Sequence, residues 1–207
     1  FGTLLYSKTN GITRQTVVLF VTPSCPLKDP AITPTLSFLL SRPSHFFALG
    51  FGLGLAPPGT WNFGTLGGFP VAWALLHLPL WTALLTLAVF VYVGCNVCQQ
   101  AGDALGIPDH GSIVWDEIVA FALILLFVPI TTEAWIASFL LFRFFDIVKP
   151  WPIRIADARF KNGFGVMLDD LLAVPYVLAV YHGTDALKVA REALNKSPDL
   201  DNGGLTN

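Results

Sequence analysis

Along most of its length the chain alternates long apolar runs with short polar breaks. Residues 66–80 form a first run and residues 81–98 a second, with His77, Leu78 and Pro79 as the break between them. Residues 99–111 read as a polar loop. Residues 113–130 and 134–148 form the third and fourth runs, joined by a turn at 131–133. A basic connector, 149–163, leads to a fifth run, 164–181. Several runs fall short of the roughly 20 residues that a straight membrane crossing needs, so tilted and partly re-entrant helices are expected. Ahead of them, "LGFGLGLAPPGTWNFGTLGGFP" is too rich in Gly and Pro for a clean helix. At membrane depth such a segment is tolerated where it is buried in protein or lines a polar cavity. The expected fold class is all-α: a polytopic helical membrane protein with one Gly/Pro-rich, partly re-entrant segment.

Composition supports that reading. Apolar residues make up 54% of the 207-residue chain and charged residues 13%, about half the usual charged share. Mean hydropathy is +0.63. No Lys or Arg occurs between Arg42 and Arg143. A net charge of −2 lacks the basic face of a nucleic-acid binder. Cys25, Cys95 and Cys98 do not make a disulfide framework, and Cys95 with Cys98 reads as a pair of small helix-packing residues. The start lacks the ordered regions of a signal peptide. With Phe1 in place of Met, the chain reads as a fragment or a processed form.

Charge also orients the runs. Five alternating crossings put Lys8, Arg14, Lys28, Arg42, Lys149, Arg154, Arg159 and Lys161 on one side, expected to be cytoplasmic. Lys188, Arg191 and Lys196, in the polar tail, fall on the other side. They fit better if the fifth run turns back.

The unusual polar residues gather on the basic side. Asp109, His110, Asp116 and Glu117 stand at the entrance of the third run. Arg143, Asp146 and Lys149 stand at the exit of the fourth, and Asp169 and Asp170 in the first turns of the fifth. Ionisable groups at membrane depth are costly and face a cavity or one another. The five carboxylates Asp116, Glu117, Asp146, Asp169 and Asp170 repel unless a positive charge lies among them. Arg143 and Lys149 leave that set net negative, so a hard divalent cation with oxygen ligands is the expected partner. Arg143, Asp146 and Lys149 follow one another at intervals of three and are expected on one helix face. Adjacent acids point about 100° apart on a helix, so one of each pair can meet a metal while the other meets a second metal or a water. A Mg²⁺ site with convergent Arg and Lys suits a phosphate group, whose oxygens the metal polarises. Taken singly, each acid pair is also what an interfacial helix start looks like, and Arg143 with Asp146 is also a plain intrahelical ion pair. The coincidence at one membrane level is what favours a site.

"GFGLGLAPPGT", "DHGSIVWDEIV", "FRFFDIVKPWPI" and "NGFGVMLDD", in that order, resemble the phosphatidylglycerophosphatase A family over roughly residues 43–181. The resemblance implies a mainly helical, Mg²⁺-dependent enzyme of the bacterial inner membrane. Its active site would face the cytoplasm, and it would remove the terminal phosphate of phosphatidylglycerophosphate in the bilayer to leave phosphatidylglycerol. It implies that Asp116, Glu117, Asp146, Asp169 and Asp170 are the metal-binding and catalytic acids. Arg143 and Lys149 match basic positions beside the central Asp. His45, Gly59, Thr60, Asp109 and His110 also match motif positions, with Thr60 and His110 expected near the phosphate. The chain departs from the family pattern at the adjacent Pro57 and Pro58 and at "WNF" between Thr60 and Gly64. The expected organisation is an N-terminal extension over 1–44, the helical membrane domain over 45–182 and a polar tail over 183–207. A divalent-cation transporter or channel is the alternative function; the grouping of the acids at one side, with no ladder across the bilayer, favours the enzyme. A non-catalytic membrane helper is the third reading, and the intact acid set argues against it.

Overall fold

Residues 33–56 and 62–196 are described by the structure, a computed structural model. Among them there are helices and no strand, which agrees with the expected all-α class. Two short helices open the described chain. Thr35 caps α1 (Leu36–Ser41) by accepting the Phe38 N–H at 3.3 Å, and Pro43 starts α2 (Pro43–Ala48) where a missing N–H costs nothing. α1 lies within the stretch 1–44 expected to be an extension, and α2 runs from it into the expected membrane domain; residues 1–32 are outside the described part.

A 3₁₀ segment, Gly50–Leu55, follows, and it is kinked. Gly50 and Gly52 have φ of 55° and 104°, and Phe51 between them has 61°. Glycine reaches these angles without a Cβ clash. Just before the segment, the Ala48 carbonyl accepts the N–H of Val114, at the entry to the next core helix, at 2.9 Å. After residues 57–61, two more short helices, α3 (Asn62–Leu66) and α4 (Gly68–Leu76), carry Gly64, Gly67 and Gly68 against that helix. A Cβ at these positions would meet Val114 and Leu53 at 2.7 Å, Phe121 at 2.8 Å and Ile118 at 3.0 Å. The Gly-rich segment is thus short helices joined by bends, laid close against the core.

The break at His77–Pro79 is where it was expected: α4 ends at Leu76 and α5 (Leu80–Leu105) begins just beyond. The next expectation is corrected. Residues 99–105 are the last two turns of α5, not loop. Ala101, Gly102 and Leu105 are buried, the Gln99 amide donates to Asp103 one turn on at 2.8 Å, and Gly106 at φ 75° stops the helix. The third run gives α6 (Trp115–Leu125), the central element. Nine of its eleven residues are buried, and it packs against α4, α5, α7 and a long helix α9 (Gly163–Lys196). At 1.5 Å per residue it is only about 16 Å long. The fourth run gives α7 (Thr132–Val148), capped by the Thr131 hydroxyl, which accepts the Ala134 N–H at 3.2 Å.

Two further expectations change. The basic connector contains a short helix, α8 (Ile153–Arg159). The fifth run and the first part of the polar tail form one continuous helix, α9, which continues through Pro175. At about 1.5 Å per residue α9 is about 51 Å long and α5 about 39 Å. These are the two described helices long and apolar enough to cross a membrane. They meet through small residues: a Cβ on Gly94 would meet the Met167 sulfur at 2.6 Å, and one on Gly163 would run into the Cys95 carbonyl oxygen. Close approach at glycine is how apolar helices pack without a hydrophobic gradient. The Gly163 N–H donates to the Gln99 side-chain oxygen at 2.8 Å, so the start of α9 is pinned to the last turns of α5.

Gly163→Ala is therefore expected to lower stability by about 1–3 kcal/mol. Thermal unfolding of the purified protein in detergent measures this, and an unchanged midpoint would count against the packing described.

Candidate functional site

The ends of four helices converge on a group of acids. Asp116 and Glu117 lie in the first turn of α6. Arg143 and Asp146 lie in the last turns of α7, and Lys149 caps that helix. Asp169 and Asp170 lie in the second turn of α9. Thr65 comes from α3. The sequence expected these carboxylates at one level; the helix ends bring Glu117 and Asp146 to one cation, Arg143, and Asp169 to another, Lys149.

Arg143 is the hub. Its Nη1 lies 3.1 Å from Glu117 Oε1 and 2.9 Å from Asp146 Oδ2, and donates to Thr65 Oγ1 at 3.3 Å. Thr65 in turn donates to Glu117 Oε2 at 2.6 Å. Both oxygens of Glu117 are therefore held. A second cation serves the other acid pair: Lys149 Nζ lies 2.6 Å from Asp169 Oδ2 and 3.6 Å from Asp157 Oδ1. The backbone N–H of Asp170 occupies Asp169 Oδ1 at 3.1 Å.

Each acid pair is thus split. Glu117 and Asp169 hold a cation, whereas Asp116 and Asp170 do not. Asp116 is 7% exposed and Asp170 4%, and Asp116 Oδ1 and Asp170 Oδ2 are buried with no hydrogen-bond partner among the described residues. Asp170 is within electrostatic reach of Asp116, Asp146, Asp169 and Glu117. Burying carboxylates without partners costs several kcal/mol each, at least in order of magnitude. This donor set, oxygen-only and with two oxygens free, fits a hard divalent cation.

The remaining expected residues fall differently. Lys149 does not continue the face of Arg143 and Asp146, which corrects the three-residue spacing argument. It adopts φ 43°, ψ 66°, and this left-handed turn swings its side chain toward α9. Burial works against the Lys149 charge, but the bond to Asp169 and the nearby charges of Asp157 and Asp109 outweigh it, and its pKa lies above the usual lysine value. His110 is half-buried in the loop before α6, and its Nδ1 accepts the Ser112 N–H at 3.1 Å, a local turn bond. Thr60 lies outside the described residues. His45 is buried, stacked on Phe38 at 4.1 Å and bonded through Nδ1 to Ser41 and the Phe38 carbonyl.

Two contributors escaped the sequence reading. Thr65 is an uncharged residue among glycines, and its only signal was a hydroxyl in an apolar stretch. Asp157 lies in the basic connector, outside the acid set read from the sequence, and Lys161 bonds it at 3.2 Å. Carboxylate oxygens of Asp109, Asp157 and Asp169 lie within 4.8 Å of one another, with Lys149 beside two of them.

Comparison with known proteins places these elements in context. The profile of the family described as Phosphatidylglycerophosphatase A matches residues 46–185. A protein of Haemophilus influenzae named phosphatidylglycerophosphatase A is 43% identical over 149 residues, 71% of this chain and 91% of that one. Its namesake in Escherichia coli K12 is 39% identical over 137 residues, 65% of this chain and 78% of that one. A protein of Bacteroides thetaiotaomicron, provisionally named a phosphatidylinositol-3-phosphatase, is 37% identical over 150 residues, 66% of this chain and 92% of that one. No solved structure matches the chain at a significant level.

Removing the hub leaves two nearly buried carboxylates without their cation. Arg143→Met is expected to cost about 3–5 kcal/mol of stability, more than Glu117→Gln, which keeps one acceptor oxygen in the network and leaves Arg143 paired with Asp146. Denaturation of both variants in the same detergent compares them directly.

Proposed function

Since the chain belongs to the phosphatidylglycerophosphatase A family, we propose that it hydrolyses the terminal phosphate monoester of phosphatidylglycerophosphate. The products are phosphatidylglycerol and inorganic phosphate, which makes the chain a phosphoric monoester hydrolase. In this reading it is a multi-pass protein of the bacterial inner membrane with its site toward the cytoplasm. The two long apolar helices support membrane residence, and the basic residues of the connector support the orientation. Mg²⁺ is the proposed cofactor.

The observation that carries the reading is the split of the acid pairs: two buried, unpartnered carboxylate oxygens beside a network already neutralised by Arg143 and Lys149. Asp116 and Asp170 would hold the metal, with Asp146, Glu117 and Asp169 completing its surroundings. When bound, Mg²⁺ supplies Lewis-acid activation of the phosphoryl group and of water. The chain's own residues do the rest. Arg143 and Lys149 set positive charge where the phosphate dianion arrives. Glu117 and Asp169 keep those two cations fixed. An oxygen from water forms the new bond to phosphorus, and the bond from phosphorus to the glycerol oxygen breaks. The attacking water gives up a proton to the acid cluster, and the leaving oxygen takes one up from it. The acyl chains stay in the bilayer beside α5 and α9. Transport of a divalent cation is less well supported, because the acids gather at the converging ends of α6, α7 and α9 and do not line a path through them.

Asp116→Asn and Asp170→Asn are each expected to reduce Mg²⁺-dependent phosphate release from phosphatidylglycerophosphate by at least about a hundredfold, with the fold retained. Chelation of divalent cations should silence the wild-type protein, and added Mg²⁺ should restore it. A panel of lipid monophosphates, including phosphatidylinositol 3-phosphate, identifies the substrate. Full turnover in both variants would refute the assignment.

A further inference from the structure

Thr65 is the uncharged side chain of the Arg143 network, and it is 0% exposed. A hydroxyl has one proton to give and two lone pairs to receive. The proton goes to Glu117 Oε2 at 2.6 Å, and an oxygen lone pair receives Arg143 Nη1 at 3.3 Å. Its backbone is held close enough for this by the residue before it. A Cβ on Gly64 would lie 2.9 Å from Glu117 Oε2 and 2.7 Å from Val114 Cβ, so only glycine lets α3 approach. Arg143 Nη1 is shared among Thr65, Glu117 and Asp146, while Arg143 Nε is buried and has no partner.

We propose that Thr65 is a positioning residue for the hydrolysis: its hydroxyl fixes the Glu117 rotamer and the guanidinium plane of Arg143, and so aims the rest of that rigid fork at the phosphate. The inference rests on the lipid phosphatase reading above and adds a residue that touches no substrate itself. It follows from the geometry of the guanidinium, whose donors turn together as one plane. Misdirecting them by a fraction of an ångström weakens the interaction most where charge develops in the transition state.

The test compares Thr65→Ser, which keeps the hydroxyl, with Thr65→Val, which keeps the shape and loses it. Phosphate release from phosphatidylglycerophosphate in mixed micelles is measured per mole of folded, monodisperse protein. Thr65→Val is expected to lose roughly 10–100-fold in kcat with KM within about threefold, and Thr65→Ser to stay within about threefold of wild type in both. If Thr65→Val does not yield folded protein, Thr65→Ala replaces it in the same comparison. Equal kcat in the hydroxyl-keeping and hydroxyl-lacking variants overturns the positioning role alone, as does loss of activity only in proportion to the folded fraction. Failure of the wild-type protein to release phosphate overturns the phosphatase reading together with this one.

Discussion

Arg143 meets a hydroxyl from α3, a carboxylate from α6 and a carboxylate from its own helix α7. Three elements that are distant in sequence therefore share one charge. The constraint is electrostatic. Carboxylates drawn in from α6, α7 and α9 repel one another in a medium that screens poorly, and an unpaired buried charge costs more than most single contacts return. Arg143 and Lys149 offset part of that repulsion and fix which acids are neutralised. What they leave over, at Asp116 and Asp170, is the part of the cluster that the proposed reading assigns to a ligand.

The helices make sense as a frame for that cluster. α6 is short and almost wholly enclosed, so its acidic first turn is held in place by packing on every side. The glycines of α3 and α4 let the Gly-rich segment lie against α6 and deliver Thr65. α5 and α9, the two helices long enough to cross a membrane, close together at Gly94 and Gly163. That contact sets the depth of Asp169 and Asp170 relative to α6. The left-handed turn at Lys149 then sends its ammonium across to α9, where a helical continuation would have kept it beside Asp146.

The sequence made the helical class and the convergence of the acids legible, because charged residues stand out in apolar runs. It did not reveal how the acids are partnered. Adjacent acids such as Asp116 and Glu117 look alike in a string of letters, and only the fold shows that Glu117 faces Thr65 and Arg143 while Asp116 Oδ1 has no partner. Residues 99–105 read as loop because they are polar, yet burial of Ala101, Gly102 and Leu105 keeps them helical. The tail from Gly183 read as separate because it turns polar, yet α9 runs on to Lys196. Local polarity misplaced boundaries; tertiary packing decided them.

The central claim is that Asp116 and Asp170 together form the opening for a divalent cation. Anomalous diffraction from crystals of the whole protein grown with Mn²⁺ tests it most directly. The account predicts a single strong peak within bonding distance of a carboxylate oxygen of both residues. A peak ligated only by other acids, or no peak among the ends of α6, α7 and α9, would contradict it.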